Sequence, residues 1–288
     1  MSQIVLACGP DRAYISLMGA ELVQWRVNGR ALIWQAEAQF WDRTAPVLFP
    51  LCGWTRDGVR VKGKHYSLGL HGFAHQRQFS CVEQTQNTAH LILRDDAISR
   101  ALYPFGFELS VIYHLREGGL DVRFNVRNRD QTLLPYAIGF HPGFALSSDP
   151  SREAYFRFAG QNGREVKPYV PIIAAGGLFA PEQRAVDMKE GQLTLSPALW
   201  AHEALCFLDV PTHEYHVQLG DVGLDISTHH FPHCVLWSRP HAPFVCVESW
   251  TGYGDPVGFD GDLFAKPSMI HLPAEAVGEH FVSYNVRE

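Results

Sequence analysis

An all-β fold, built as a large sandwich of two packed antiparallel sheets, is predicted by three features of this chain. Short alternating or β-branched segments recur along it, turn-forming residues separate them at close intervals, and no regular series of helices lies between them. Strands without crossover helices pair antiparallel.

The segments run in order as residues 14–19, 21–27, 31–35, 79–84, 90–95, 107–115, 120–128, 154–160, 204–210, 214–220, 223–229, 234–239, 244–249 and 280–286. Each reads as a strand. Asn28-Gly29, Asp57-Gly58, Glu117-Gly118-Gly119 and Asp221-Val222-Gly223 supply the chemistry of tight turns between them. Short helices are expected only around Asp96–Arg100 and Pro197–Ala204. So many strands exceed what one open twisted sheet carries, hence two sheets face to face. The strand-poor stretch from Gly160 to Ala201 is rich in Gly and Pro but also holds Val166, Tyr169, Ile172, Ile173, Leu178 and Phe179. It reads as an ordered excursion over one sheet, because a free linker seldom carries that much apolar surface. No internal boundary is visible, and residues 1–288 are read as one domain.

Composition narrows the function. The chain is 46% hydrophobic and 19% charged, with a formal net charge of −6, and it has no clustered Lys/Arg run to hold a phosphate backbone. Nucleic acid is excluded as a partner. No apolar run approaches the ~20 residues of a bilayer span, so no membrane partner is expected either. The N-terminus lacks a basic start followed by a long apolar run, which predicts a cytoplasmic protein. The six cysteines, Cys8, Cys52, Cys81, Cys206, Cys234 and Cys246, are scattered without a CxxC pair and read as reduced, buried thiols.

Three segments embed an ionisable side chain among apolar neighbours: His71 in residues 70–74, His141 in residues 138–144 and Glu248 in residues 245–250. Burial there would move their pKa values toward the range useful for proton transfer at neutral pH. Glu248 is the most informative. Strand parity puts it on one face with Phe244, Cys246 and Trp250. A carboxylate on that buried face is costly unless it has partners in a cleft, and a carboxylate beside aromatic rings is one way to hold a sugar. The competing reading is a buried ion pair with an arginine such as Arg239. The run Thr228–Cys234 offers His229, His230 and His233, but Pro232 prevents an i, i+4 helical pair of histidines, so no metal site is expected. Gly252-Tyr253-Gly254 lacks the strand-turn-helix setting of a phosphate loop.

Blocks distributed along the chain resemble the aldose 1-epimerase (mutarotase) family, in its LacX-like bacterial branch. They are Gly19-Ala20-Glu21-Leu22 with Ile33-Trp34-Gln35, Phe40-Trp41 through Ala45–Pro50, His71-Gly72-Phe73-Ala74, Gly139–Phe144, and Leu236–Pro240 with Cys246–Trp250 and Gly252. The resemblance implies a galactose mutarotase-like β-sandwich that interconverts the α and β anomers of a hexose or hexose phosphate. It further implies Glu248 as general base, His141 as general acid, His71 as a second histidine near the ring oxygen, and no metal or organic cofactor. Substrate contacts are expected from Arg56, Trp237, Trp250, Phe73 and Glu203. The sequence departs from the family pattern where an Arg commonly follows the Gly matched by Gly53. Trp54 stands there, with Arg56 two residues later as a substitute. His75 likewise follows the HGFA block in place of Arg, and His202 or Glu203 are the nearest positions to a sugar-contacting Asp. The alternative reading is a carbohydrate-binding or sugar-sensing module on the same fold. Monomer and homodimer are left open.

Overall fold

The computed structural model describes residues 3–149, 151–159 and 169–287. Its main element is a nine-stranded antiparallel sheet in the spatial order Gln192–Thr194, Ala154–Ala159, Glu214–Leu219, Gly223–His229, Val277–Arg287, Gly119–Asn128, Phe107–Arg116, Thr88–Arg94 and Ser80–Gln84. Its centre shows why these residues make strands. Leu109, Val111 and Tyr113 lie opposite Val126, Phe124 and Val122 and are fully buried, while the intervening Arg123 and Arg127 alternate to the outer face.

A six-stranded sheet packs on that inner face. Leu205–Phe207, His233–Trp237, Phe244–Trp250, Gly139–Phe140 and Val47–Leu48 follow one another across it, and Gly143–Ala145 pairs with the other end of Phe244–Trp250. Aromatic contacts join the layers: Phe49 to Phe107 at 4.9 Å between ring centroids, Phe124 to Phe140 at 5.5 Å, and Phe144 to Tyr284 at 5.6 Å. A four-stranded N-terminal sheet over Gln3–Ala31 adds Trp25, which meets Tyr284 at 6.2 Å. One apolar cluster runs through all three sheets, from Ile4 to Tyr284.

Local punctuation behaves as turn chemistry requires. Asn28 and Gly29 both take positive φ, at 50° and 81°, between two hairpin strands. Asp96 caps the α-helix Ala97–Leu102 in a reciprocal box with Ser99, and Pro197–His202 forms a 3₁₀ helix. The 160–201 stretch differs from the strand-poor reading. Residues 160–168 of it lie outside the described residues, but Tyr169–Ala174 and Leu178–Ala185 pair as a bulged hairpin, and Gln192–Thr194 extends the nine-stranded sheet. Pro171, Pro181 and the Gly176-Gly177 pair hid the hairpin in sequence. All six cysteines are free thiols, and four are buried. Cys81 is exposed on the edge strand Ser80–Gln84 and Cys8 is half-buried, which corrects the reading of all six as core residues. No helix among the described residues is long and apolar enough to cross a membrane.

Candidate active site

The outer face of the six-stranded sheet carries the site. Every residue of Phe244–Trp250 is buried, because Val245 and Val247 point into the core while Phe244, Cys246, Glu248 and Trp250 belong to the opposite face. Glu248 lies directly across from Val235, and Val235 across from Cys206. Glu248 and Cys206, at the two ends of that row, line a cleft of about 1000 Å³.

Two other segments bring in the histidines. His141 follows the short strand Gly139–Phe140, and its backbone N–H donates to the Pro46 carbonyl. The Trp41 ring stacks on its imidazole at 4.9 Å between centroids. The stretch that carries Trp41 and Pro46 is fixed from below by Glu21, whose carboxylate accepts from the backbone N–H groups of Thr44 and Ala45 and from the Thr44 hydroxyl. His71 sits in a sharp loop at φ +61°. Gly72 beside it, at φ +71°, lies so close to strand Val47–Leu48 that a Cβ would overlap the Phe49 carbonyl. That contact explains the glycine in the HGFA block. The Gly53 N–H donates to His71 Nδ1 at 3.0 Å, so the ring carries its proton on Nε2 and can donate only from there.

The three groups converge. His141 Nε2 is 3.3 Å from Glu248 Oε2, and the Trp250 indole N–H donates to the same oxygen at 2.8 Å. The His71 ring stands edge-on to both His141, at 5.6 Å, and Trp250, at 5.5 Å. Arg239 is not the partner of Glu248. It lies over the Trp237 ring and lines the cleft instead.

Burial sets the charges. Loss of water holds the Glu248 carboxyl well above its ordinary range, against the lowering effect of the Trp250 N–H. The same loss depresses His141 to about 3 and His71 well below its usual value, with the neighbouring imidazoles adding to the fall in His71. The carboxyl therefore moves up toward neutrality and the histidines move below it, each in the direction that desolvation requires. Both shifts favour the arrangement in which the one proton shared by the His141–Glu248 pair sits on the carboxyl.

Of the other expected contacts, Trp237, Trp250, Phe73 and Glu203 line the cleft. Phe73 is also a core residue, edge-on to Phe49. Arg56 does not line it. It is exposed, and its backbone N–H is tied to Asp255 Oδ2 at 2.9 Å, so the proposed substitution for the family arginine fails on position. Trp41, Arg43 and His75 also line the cleft, although the sequence reading gave them no site role. Arg43 Nη1 is 3.5 Å from Glu21 and also donates to the His75 carbonyl, and burial lowers His75 to about 4. Arg43 falls within the stretch from Phe40 to Pro50 and His75 directly follows HGFA, and those placements were the available signal.

The discounted histidine run behaves as structure. His233 is fully buried, with Nδ1 accepting from the Asp209 N–H and Nε2 bonded to the Ser268 hydroxyl, while His229 is exposed against His230. Among the described residues, the grouping able to hold a cation is His141, Cys246 and Glu248, with ligand atoms within 4.8 Å of one another. Tetrahedral zinc needs ligands at about 2.0–2.3 Å from the metal, so this trio would have to close up to bind it.

Residues 5–261 match the aldose 1-epimerase family model. The chain belongs to the aldose 1-epimerase family. Two LacX proteins of Lactococcus lactis subsp. lactis, chromosomal and plasmid-borne, are each 25% identical to it over 259 residues, covering 85% of this chain and 86% of theirs. A galactose mutarotase related enzyme from Lactobacillus acidophilus superposes with a TM-score of 0.91 at 26% identity, covering 100% of this chain and 98% of the other. A galactose mutarotase-like protein from Lactobacillus casei shares the fold at a TM-score of 0.92 and 24% identity, covering 99% and 100%. The all-β galactose mutarotase-like fold follows from these matches.

Proposed function

We propose that this chain is an isomerase, folded as one domain, that interconverts the α and β anomers of a free aldose by paired proton transfer. Glu248 takes the proton from the anomeric hydroxyl and His141 gives one to the ring oxygen. The ring opens, the C1–C2 bond rotates, and closure on the other face returns both protons. His71 donates from Nε2 to the ring oxygen or a neighbouring hydroxyl, and Trp41, Trp237 and Trp250 pack on the sugar's C–H faces.

The observation that carries this reading is the 3.3 Å contact between His141 Nε2 and Glu248 Oε2 at the floor of the cleft. Ring opening needs a base at the anomeric oxygen and an acid at the ring oxygen, and ring closure needs the reverse. A pair that holds one proton supplies both halves without outside help. Ring opening starts from the tautomer with a carboxylate on Glu248 and the proton on His141, so that proton has to cross the 3.3 Å contact from carboxyl to imidazole when the sugar binds. The chemistry uses no metal or organic cofactor.

The test is exchange NMR between the anomers of glucose and galactose, with and without the protein. Exchange faster than in buffer alone is expected. A protein that binds the sugars in titration but leaves their exchange at the buffer rate would instead be a carbohydrate-binding module.

A further inference from the structure

The cleft is larger than the proposed chemistry requires. Its volume of about 1000 Å³ sits at the top of the roughly 300–1,000 Å³ range for sites that take drug-sized ligands, whereas anomerisation engages a single pyranose ring. The excess has a distinct wall. Trp54 lines the cleft while 46% exposed, so the cleft wall offers a large aromatic side chain that a ligand can reach.

Nothing about this ring is loose. Its main-chain carbonyl accepts from the Asp255 N–H at 2.8 Å. Its side chain lies against the hairpin loop at Gly177, where a Cβ would overlap the indole Cδ1. The glycine, at φ +75°, therefore allows the loop to back the ring, leaving part of the indole open to solvent. The preceding residue is Gly53, whose N–H fixes His71, so the ring stands next to the reacting end of the cleft. Aromatic walls already surround the Glu248–His141 pair in Trp41, Trp237 and Trp250. Trp54 is a fourth, set apart by its exposure and by its seat on the Ala175–Gly177 loop. Of the two guanidinium groups lining the cleft, Arg43 is committed to Glu21 and the His75 carbonyl. The other, Arg239, lies over the Trp237 ring, so glucose 6-phosphate is the competing ligand in the test.

We infer that Trp54 forms a second saccharide subsite, so that the cleft takes a reducing disaccharide with its free anomeric ring at Glu248 and His141 and its second ring stacked on the indole. A pyranose offers a patch of C–H groups to the ring face, and its hydroxyls remain available to water and to the indole N–H. This rests on the anomerase reading above.

The experiment measures kcat/KM for anomer exchange of glucose, maltose, cellobiose and glucose 6-phosphate in the wild type, Trp54→Phe and Trp54→Ala. A disaccharide should be used better than glucose by the wild type. The disaccharide-to-glucose ratio should fall about tenfold in Trp54→Ala, chiefly through KM, and be largely kept in Trp54→Phe. Gly177→Val, which displaces the ring without removing it, should lower the same ratio and guards against a misfolded Trp54→Ala. A ratio that is the same in all variants, or a wild type that favours glucose 6-phosphate regardless of Trp54, overturns the subsite. If the wild type exchanges no sugar at all, the anomerase reading falls. Maltose and cellobiose titration by NMR then tests the subsite separately: binding weakened about tenfold by Trp54→Ala supports it, and unchanged binding overturns it.

Discussion

Replacing Lys266 by Met should destabilise the protein far more than the loss of one ion pair on a surface would. Lys266 Nζ lies 2.6 Å from Asp255 Oδ1, with the two side chains only 2% and 5% exposed. Burial pulls the ammonium below its ordinary range even with the carboxylate beside it, so the pair is held together against a substantial desolvation cost. Removing only the cation strands a buried carboxylate, and breaking such a pair costs about 3–5 kcal/mol. Asp255 also accepts from the Arg56 N–H, so Asp255→Asn combined with Lys266→Met keeps that bond and leaves no charge. The double variant should therefore recover most of the loss. Urea denaturation at neutral pH reads both, at an unchanged slope. A Lys266→Met variant within about 1 kcal/mol of wild type, or a double variant no more stable than the single, would show that water reaches the pair and that the burial argument is wrong.

Glu248→Gln keeps the shape of the floor but removes the basic oxygen, so anomer exchange should fall by about 10²–10⁴-fold with the thermal midpoint nearly unchanged; near wild-type turnover removes Glu248 from the mechanism. Because His141 titrates near 3 and Glu248 well above the carboxylate range, the rate should stay level across the interval between them, and His141→Asn should abolish its acid limb; a limb that survives the substitution belongs to another group. His280 is buried with Nδ1 on the His230 carbonyl and Nε2 on the Tyr136 hydroxyl, and sits at about 4. Its folded value lies below the ordinary 6.5, so its stability contribution is complete above pH 6.5 and is lost as pH falls toward 4, a change of about 3 kcal/mol. His71, His75, His141 and His233, also lowered by burial, add falls of the same sign, so the loss of stability between pH 8 and pH 4, read by urea denaturation, should be smaller in His280→Asn than in wild type by about that amount, and an equal loss in both refutes the assignment. Dialysis against a chelator should leave anomer exchange unchanged, whereas loss that zinc restores would put a working cation at His141, Cys246 and Glu248.

The fold was legible because antiparallel strands with one buried face write their register into alternation, as Gly119–Asn128 does. Glu248 was legible for the same reason: parity along residues 244–250 put it with Phe244, Cys246 and Trp250, and the apolar clusters divide that way. Interactions that depend on main-chain direction were not. Nothing in the order of side chains says that the Gly53 N–H meets His71 Nδ1. Arg56 was assigned by nearness in sequence, yet the loop turns at Gly53, at φ +77°, and Asp255 holds the residue 56 backbone away from the cleft. Arg43 and His75 reach the cleft through the 43–46 and 74–76 turns, whose positions are set by Glu21 and Phe49 carbonyl contacts far away in the chain.

The strand Phe244–Trp250 is buried on both faces, and this makes it a partition between two kinds of selection. Odd-numbered Val245 and Val247 answer to the layer beneath, where shape and volume decide. Even-numbered Glu248 and Trp250 answer to whatever enters above. Change at Val245 and Val247 therefore tunes how firmly the sheets hold together, while change at Glu248 tunes which molecule is handled, and Trp250 serves both, lining the cleft and packing with Leu48 and Val235. A library aimed at ligand choice would spare Val245 and Val247, and also Phe244 and Cys246, which pack with Trp34 in a cluster of their own on the upper face.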